Sequence, residues 1–355
     1  MRLVSLSEVL PGEPVTNRDM AETFGLHERW LDTMTGNRTR YYCRAESPDG
    51  VPKTTGELAA AAGREAMDRA GLTPSSIDFL ILTTASPDHL MPATVNLVAD
   101  QLGLNDIPTF QLTSGCAGAL QGLYTARALL AGGLRTGLVI GADTCRALWP
   151  SGQAGAQLKP AEVVNFALFG DGGGAAVVSA DTDGPGLVLE HMFLRTVGKG
   201  RAPAQVVRWY GAQGAPFVPD GRGGTVREPM AEEDYKAIER HVPEAARAIL
   251  DELVSATGWS SAEVEHVLVP QLNGVMTERI REYLGITPGQ AVSCVADTGN
   301  NGNALPFIQL HRALDRIGSG FGAGGRLLVL TVESSKWVLS GMALRHQTGE
   351  GTDVR

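Results

Sequence analysis

The chain has 355 residues, 43% of them hydrophobic, and a formal net charge of −9. An acidic balance argues against nucleic acid as the main partner, and the lack of any run of about 18 apolar residues argues against a membrane span. Four cysteines at irregular spacing (Cys43, Cys116, Cys145, Cys294) form neither a metal-ligand pattern nor a disulfide framework, so no bound metal and a reducing, cytoplasmic setting are expected. Residues 1–10 are too polar for a secretory segment. Further along, residues 57–71 read as an Ala-rich helix and residues 79–83 as a strand, joined by a Pro/Ser turn. Residues 108–113 read as a strand and 117–131 as a helix with Leu120, Leu123, Tyr124, Ala128 and Ala131 at helical spacing. A strand is expected at 137–140. Residues 197–230, rich in Gly, Pro and Arg, read as a long, partly ordered loop of the kind that serves as a lid or binding segment. A helix at 244–258 and strands at 266–269 and 326–331 follow, and the polar tail from 347 is expected to fray.

These elements repeat. Helix, turn and strand at 57–83 match helix, turn and strand at 244–269, and the segment opening at Ser114 and closing in the strand at 137–140 matches the one opening at Thr298 and closing at 326–331. Cys116 and Asn300 become counterparts. Apolar strands alternating with helices imply mainly parallel sheets covered on both faces, with functional residues where two halves meet, about 1–182 and 183–355.

Cys116 lies in Thr113-Ser-Gly-Cys116-Ala-Gly-Ala119, between a strand and a helix. Unpaired N–H groups and the positive end of a helix dipole favour a thiolate at such a place, and small neighbours leave room for a substrate. Cys116 is therefore expected to be an ionised nucleophile. Cys145 and Cys294 read as buried structural thiols.

With these residues in place, the chain resembles the thiolase superfamily and, within it, the ketoacyl synthase III branch, over nearly its full length. Thr113-Ser-Gly-Cys116-Ala-Gly looks like that branch's nucleophile turn, and Phe169-Gly-Asp-Gly-Gly-Gly-Ala-Ala176 like its F-G-D-G-A-G-A stretch. Trp30-Leu-Asp-Thr-Met-Thr-Gly36 is similar to its W-x-x-x-R-T-G segment, and Thr298-Gly-Asn300 to its Y-G-N or H-G-N segment. The resemblance implies a thiolase-like α/β fold of five layers, α-β-α-β-α, made from two pseudo-symmetric halves. It also implies a homodimer, with the loop around His89 at the dimer interface, and a coenzyme A or acyl-carrier-protein thioester as donor, with no permanent cofactor. By the same resemblance Trp30 would stack on a carrier adenine, the alternative being a core tryptophan. Met91, Asn273, Ser334 and Ser335 are expected to touch substrate.

The departures narrow the chemistry. Condensing members of the branch carry a Cys-His-Asn triad with the His in V-P-H-Q-A-N, whereas this chain has Val269-Pro270-Gln271-Leu272-Asn273, so Pro270 or Gln271 stands where the His would be. Met34 replaces the Arg that helps hold carrier phosphates. Val332-Glu-Ser-Ser335 replaces a Gly-rich F-G-G-G turn, whose backbone N–H donors are independent of the side chains. This pattern resembles the ketoacyl-synthase-III-like acyltransferases of secondary metabolism, which move acyl groups to oxygen or nitrogen. In that reading Cys116 forms a thioester, Asn300 and Gln271 position the reacting groups, and an amine or alcohol accepts the acyl group. An alcohol needs a proton acceptor worth about 10²- to 10⁴-fold, for which Glu333, Asp297 or the substrate itself are the options. Decarboxylative condensation with a malonyl thioester and a non-catalytic, carrier-binding subunit are the rival expectations.

Overall fold

A computed structural model describes residues 1–148, 160–208, 217–219, 223–228, 231–260, 262–317 and 324–348. The chain opens with β1 (Arg2–Val9), then the small pair β2 (Val15–Thr16) and β3 (Thr39–Arg40) around α1 (Asn17–Phe24) and α2 (Glu28–Thr35). Next come α3 (Thr55–Ala70), β4 (Phe79–Thr84), α4 (Thr94–Gln101), β5 (Thr109–Thr113), α5 (Gly118–Ala131), β6 (Thr136–Asp143), α6 (Pro160–Leu168) and β7 (Gly172–Ser179). The second series runs β8 (Gly186–Thr196), β9 (Gln205–Val207), β10 (Phe217–Pro219), β11 (Thr225–Arg227), β12 (Ala231–Glu233), α7 (Tyr235–Thr257) and β13 (Val264–Leu268). It closes with α8 (Gly274–Leu284), α9 (Val295–Thr298), α10 (Leu305–Ile317), β14 (Arg326–Glu333) and β15 (Val338–Gln347).

Nine strands form one sheet in the order β13-β14-β15-β8-β1-β7-β6-β4-β5. Read outward from the β1·β8 junction, β1-β7-β6-β4 on one side matches β8-β15-β14-β13 on the other. The place opposite β5 is held by Ala291, bridged in parallel to Val267. The halves of the sheet join through the short β1·β8 pairing, Arg2↔Val188 and Leu3↔Leu187. Helices α5 and α10 pack between them: α5 touches β4, β5 and β6 on one side and β8 and β15 on the other, while α10 touches β1, β7 and β13. With α3 and α4 outside the first half and α7 and α8 outside the second, the layers are α-β-α-β-α as expected.

Strand alternation builds these layers. Phe79 and Ile81 on β4 face the central helices, as do Leu327 and Val329 on β14. Leu80 and Leu82 face α3 and α4, while Leu328, Leu330 and Val332 face α7 and α8. Apolar runs without polar alternation are what doubly covered strands require.

Three expectations are corrected. The sheet is mixed: β4·β5, β4·β6 and β13·β14 are parallel, but β1·β7, β6·β7, β14·β15 and β15·β8 are antiparallel. For β14 and β15 the reason is direct, since a turn of four residues between strands enforces an antiparallel pair. The helix expected at 244–258 starts at Tyr235 and runs through Pro243, because Asp234 caps it through the Ala237 N–H and Ile238, Val242, Ala246 and Ile249 bury its inner face. Within the loop expected at 197–230, the described residues include β9, paired with β12, and the β10–β11 hairpin; residues 209–216, 220–222 and 229–230 lie outside the described residues.

Candidate active site

The turn that carries Cys116 hangs between β5 and α5. Gly118 N–H bonds back to Gly115 O at 2.9 Å, which coils Gly115 to Gly118 tightly and leaves Cys116 partly exposed just before the helix. The opposite half holds this turn. Asn303, in the turn before α10, donates through Nδ2 to Ser114 O at 2.7 Å and to Asp143 Oδ2 at 2.7 Å, and its backbone N–H reaches the same Oδ2 at 2.7 Å. Asp143, at the end of β6, also accepts from Thr84 Oγ1, Ala85 N and Ser86 Oγ through Oδ1. Burial raises its pKa against the pull of these donors. The packing leaves no space for a side chain at position 118, where a Cβ would lie 1.6 Å from Asn303 Oδ1. Sequence reasoning missed Asn303 and Asp143, whose roles arise only from pairing distant segments.

Glu333 is where the expectation for Cys116 fails. On β14 the residues 327, 329, 331 and 333 face the central layer, so the strand's last residue points its carboxylate at the start of α5. Glu333 Oε2 accepts from Ser114 Oγ (3.0 Å), Gly115 N (3.1 Å) and Ala117 N (3.4 Å), and Oε1 accepts from Ser335 Oγ. The N–H groups expected to favour a thiolate are therefore already bound to an anion. Burial, and next the Glu333 charge, push the Cys116 thiol up to about 12. Both effects oppose the ionised sulfur expected from sequence.

Two small cavities meet at Cys116. One, of about 40 Å³, is floored by Ile238, Val242, Val269, Leu305, Leu330 and Val332. The other, also about 40 Å³, lies against Asp143, Cys145, Phe169, Gln205, Val207 and Ala231. A basin of about 560 Å³ shares Ala85, Gly115, Gln205 and Val207 with the second cavity and carries Lys53, Asp88, Arg208, Glu333 and Ser335. Among the described residues, the linings of the two small cavities contain no histidine.

The β9·β12 ribbon roofs the second cavity. Its pairs are Ala231↔Val207 and Glu233↔Gln205, and alternation sets Glu233 on the same face as Ala231. Gln205 Nε2 donates to Glu233 Oε1 at 2.7 Å; Oε2 is sealed from solvent with no hydrogen-bond partner among the described residues. Burial pushes this carboxyl up to about 7. Nothing in the local sequence marked Glu233, because an acidic residue beside a Gly- and Pro-rich stretch reads as solvated.

The other residues singled out from sequence are placed as follows. Gln271 lines the apolar cavity, but its Oε1 accepts from Ser293 Oγ, Cys294 N and Val295 N, so its amide caps α9. Asn273 is fully buried, caps α8 through Met276 N and donates to Tyr235 Oη, which turns it away from Cys116. Asn300, also fully buried, accepts from Gly302 N and donates to Leu272 O at 3.4 Å. Ser334 lines the apolar cavity with Cys116, while Ser335 lines the basin. Trp30 packs half-buried on the cluster of Met20, Leu31 and Phe166. Met91 is 88% exposed, and Asp297 lies at the surface paired with Arg38. His89 is exposed and His311 is buried beside Asp315.

Two of the sequence motifs lock to each other. Phe169 bridges Asn300, Asn300 N–H donates to Leu168 O and Gly170 N–H to Asn300 O, which ties the Phe169 stretch of the first half to the Thr298 segment of the second. Asp171, pushed up to about 7 by burial, receives the Cys43 and Arg146 N–H groups and fixes the backbone around this seam.

A cysteine at a strand-to-helix turn, buttressed across a pseudo-symmetric seam of a five-layer fold, defines a thiolase-like transferase class. The family model described as 3-oxoacyl-[acyl-carrier-protein (ACP)] synthase III matches residues 110–198. A beta-ketoacyl-[acyl-carrier-protein] synthase III of Neisseria meningitidis serogroup A is 30% identical over 341 residues, covering 90% of this chain and 96% of that protein. The chain belongs to the 3-oxoacyl-[acyl-carrier-protein] synthase III family. Among solved structures, AbyA1, a tetronic acid condensing enzyme, is 42% identical with a TM-score of 0.86, covering 97% of this chain and 99% of that one. The 3-oxoacyl-(acyl carrier protein) synthase III of Pseudomonas aeruginosa PAO1 shares the fold, with a TM-score of 0.80 at 24% identity and 99% coverage of both chains.

Proposed function

We propose that this chain takes an acyl group from an acyl-carrier-protein or coenzyme A thioester onto Cys116 and passes it to a hydroxyl of a small acceptor, in a condensation of the tetronate type. The observation that carries this reading is the surroundings of Cys116: two small cavities meet at its sulfur, one of them adjoins the larger basin, and Pro270 and Gln271 line the apolar one where condensing relatives use histidine. The 42% identity to a tetronic acid condensing enzyme supports it. A tetronic acid is a lactone whose β-keto group is enolised, so its assembly includes an acyl–oxygen bond.

In the first step the Cys116 sulfur attacks the thioester carbonyl and the carrier leaves as a thiol. Thioester exchange is close to isoenergetic, so a resting thiol suffices if its proton is passed on as the carrier sulfur leaves. The Cys116 N–H and the backbone of the Ser334–Ser335 turn supply the oxyanion donors. In the second step the acceptor oxygen replaces the sulfur. A homodimer fits the exposed Leu90 and Met91, and a cytoplasmic setting with halves dividing near residue 182 completes the reading.

A second reading, decarboxylative condensation, is favoured by the condensing activity ascribed to that relative. Its enolate needs neutral donors, and no histidine lines either small cavity among the described residues, which favours it less. Intact-mass spectrometry after incubation with acetyl-, malonyl- and hexanoyl-coenzyme A tests the reading. An acyl adduct present in the wild type and absent in Cys116→Ala is expected; no adduct with any donor overturns it, and carbon dioxide release from the malonyl donor favours the second.

A further inference from the structure

We propose that Gln205 holds the hydrogen of an acceptor hydroxyl at the mouth of the cavity beside Cys116 and so makes the site selective for alcohols, a role that rests on the acyl-transfer reading above.

The two small cavities at Cys116 differ in what adjoins them. The one floored by Ile238, Val242, Val269, Leu305, Leu330 and Val332 shares no described lining residue with the basin, and its apolar walls suit the tail of an acyl group carried on the sulfur. The other shares Ala85, Gly115, Gln205 and Val207 with the basin, so a second molecule reaches the sulfur by that route. With about 40 Å³ inside and about 560 Å³ outside, a small acceptor leaves its body in the basin and extends its reacting end past those four residues. Gln205 is the one residue of the four with a polar side chain.

The fold decides which end of that amide faces the passage. Gln205 on β9 lies opposite Glu233 on β12, and its Nε2 donates to Glu233 Oε1 at 2.7 Å. A carboxylate oxygen accepts and does not donate, so the neighbour turns the amide nitrogen toward itself and the carbonyl oxygen away. A proton on Glu233 Oε2 leaves this unchanged, because Oε1 accepts from Nε2 in either state. No donor reaches Gln205 Oε1 among the described residues, and the unpartnered oxygens sealed from solvent include Glu233 Oε2 but not this atom. The carboxylates of the passage are already engaged: Asp143 receives donors on both oxygens, and Glu333 receives two N–H groups and two hydroxyls. Gln205 Oε1 is thus the acceptor that an incoming O–H group meets.

An amide oxygen is too weak a base to remove the proton, so its part is orientation. With the hydrogen held on Oε1, the hydroxyl lone pairs turn toward the thioester carbon. The acceptor oxygen bonds to that carbon, the tetrahedral intermediate collapses, the carbon–sulfur bond breaks, and the hydroxyl proton ends on the departing Cys116 sulfur. The products are an ester and the free thiol, with no further reactant.

The experiment loads the full-length protein from butyryl-coenzyme A, removes excess donor and follows single-turnover loss of the adduct by mass. Glycolate and mercaptoacetate, which differ only in the reacting atom, serve as acceptors; a thiol is a weak donor and gains little from Gln205. Gln205→Met keeps the length of the side chain without its amide. It is expected to load and to react with mercaptoacetate at wild-type rates, and to react with glycolate about tenfold more slowly, the worth of one hydrogen bond. Gln205→Asn keeps an amide beside Glu233 with a carbonyl too short to reach the passage, and should show the same selective loss. An unchanged ratio of glycolate to mercaptoacetate rates in both variants, or equal losses with both acceptors, overturns the role of Gln205 and leaves acyl transfer standing. A loaded wild type that reacts with mercaptoacetate alone also overturns it. Absence of a wild-type adduct overturns the acyl-transfer reading itself.

Discussion

Glu333 and Glu233 approach the same sulfur from the second half of the chain, yet the fold treats them in opposite ways. Glu333 ends a core strand and meets four donors, two of them backbone N–H groups at the start of α5. Glu233 ends a three-residue strand and meets one. The first ties the halves together and raises the thiol's pKa; burial pushes the second up to about 7, with one oxygen unpartnered among the described residues. The number of donors around a buried carboxylate therefore decides whether it serves as a fixed anchor or is held closer to its neutral form.

The largest effect should come from breaking the structural side. Asn303→Leu strips the donors from buried Asp143 and Ser114 O, and it is expected to cost about 3–5 kcal/mol, read as a lower denaturant midpoint with an unchanged slope. Gly118→Ala drives a methyl group into Asn303 and should cost about 1–3 kcal/mol in the same measurement.

The Glu233 side is sharpened by pH. The folded state holds the Glu233 proton up to about pH 7, whereas the unfolded chain releases it near 4.5. The native state thus binds more protons between those values, and this group makes stability fall as pH rises through that window. Glu233→Gln removes the effect, so the variant should gain about 2 kcal/mol relative to wild type on going from pH 5 to pH 8. Glu333→Gln should act on the thiol: with the neighbouring charge gone, the Cys116 pKa falls, more of the sulfur is ionised at pH 8, and alkylation by iodoacetamide at that pH should speed up about tenfold. Asp297→Asn is the smallest: this surface carboxylate pairs with exposed Arg38, and its loss should cost below about 0.5 kcal/mol in a thermal melt.

Much of this architecture was legible because local patterns and tertiary packing agree. The unbroken apolar runs at 79–84 and 326–332 match strands covered on both faces, and the glycine-rich turn at Cys116 matches a crowded helix entrance. What could not be read were effects of distance in sequence. Glu333 lies 218 positions from Gly115, so a helix start that looks electropositive in isolation is neutralised only on folding. Gln271 and Asn273 looked available because polar residues next to a missing histidine suggest replacements, but both caps are consumed by helix ends that sequence does not orient. Glu233 gained its character from a pairing between two three-residue strands, too short for periodicity to reveal.

The bond from Asn303 to the Ser114 carbonyl carries one more implication. The first half of the chain carries Cys116 and the second supplies the amide that sets its loop, so the loop takes this shape only when both are present. During synthesis at the ribosome the thiol emerges long before its clamp and stays unaligned until residues beyond 303 have docked. Fragments cut between the repeats should therefore regain the wild-type reactivity of Cys116 toward iodoacetamide only when mixed and reassembled.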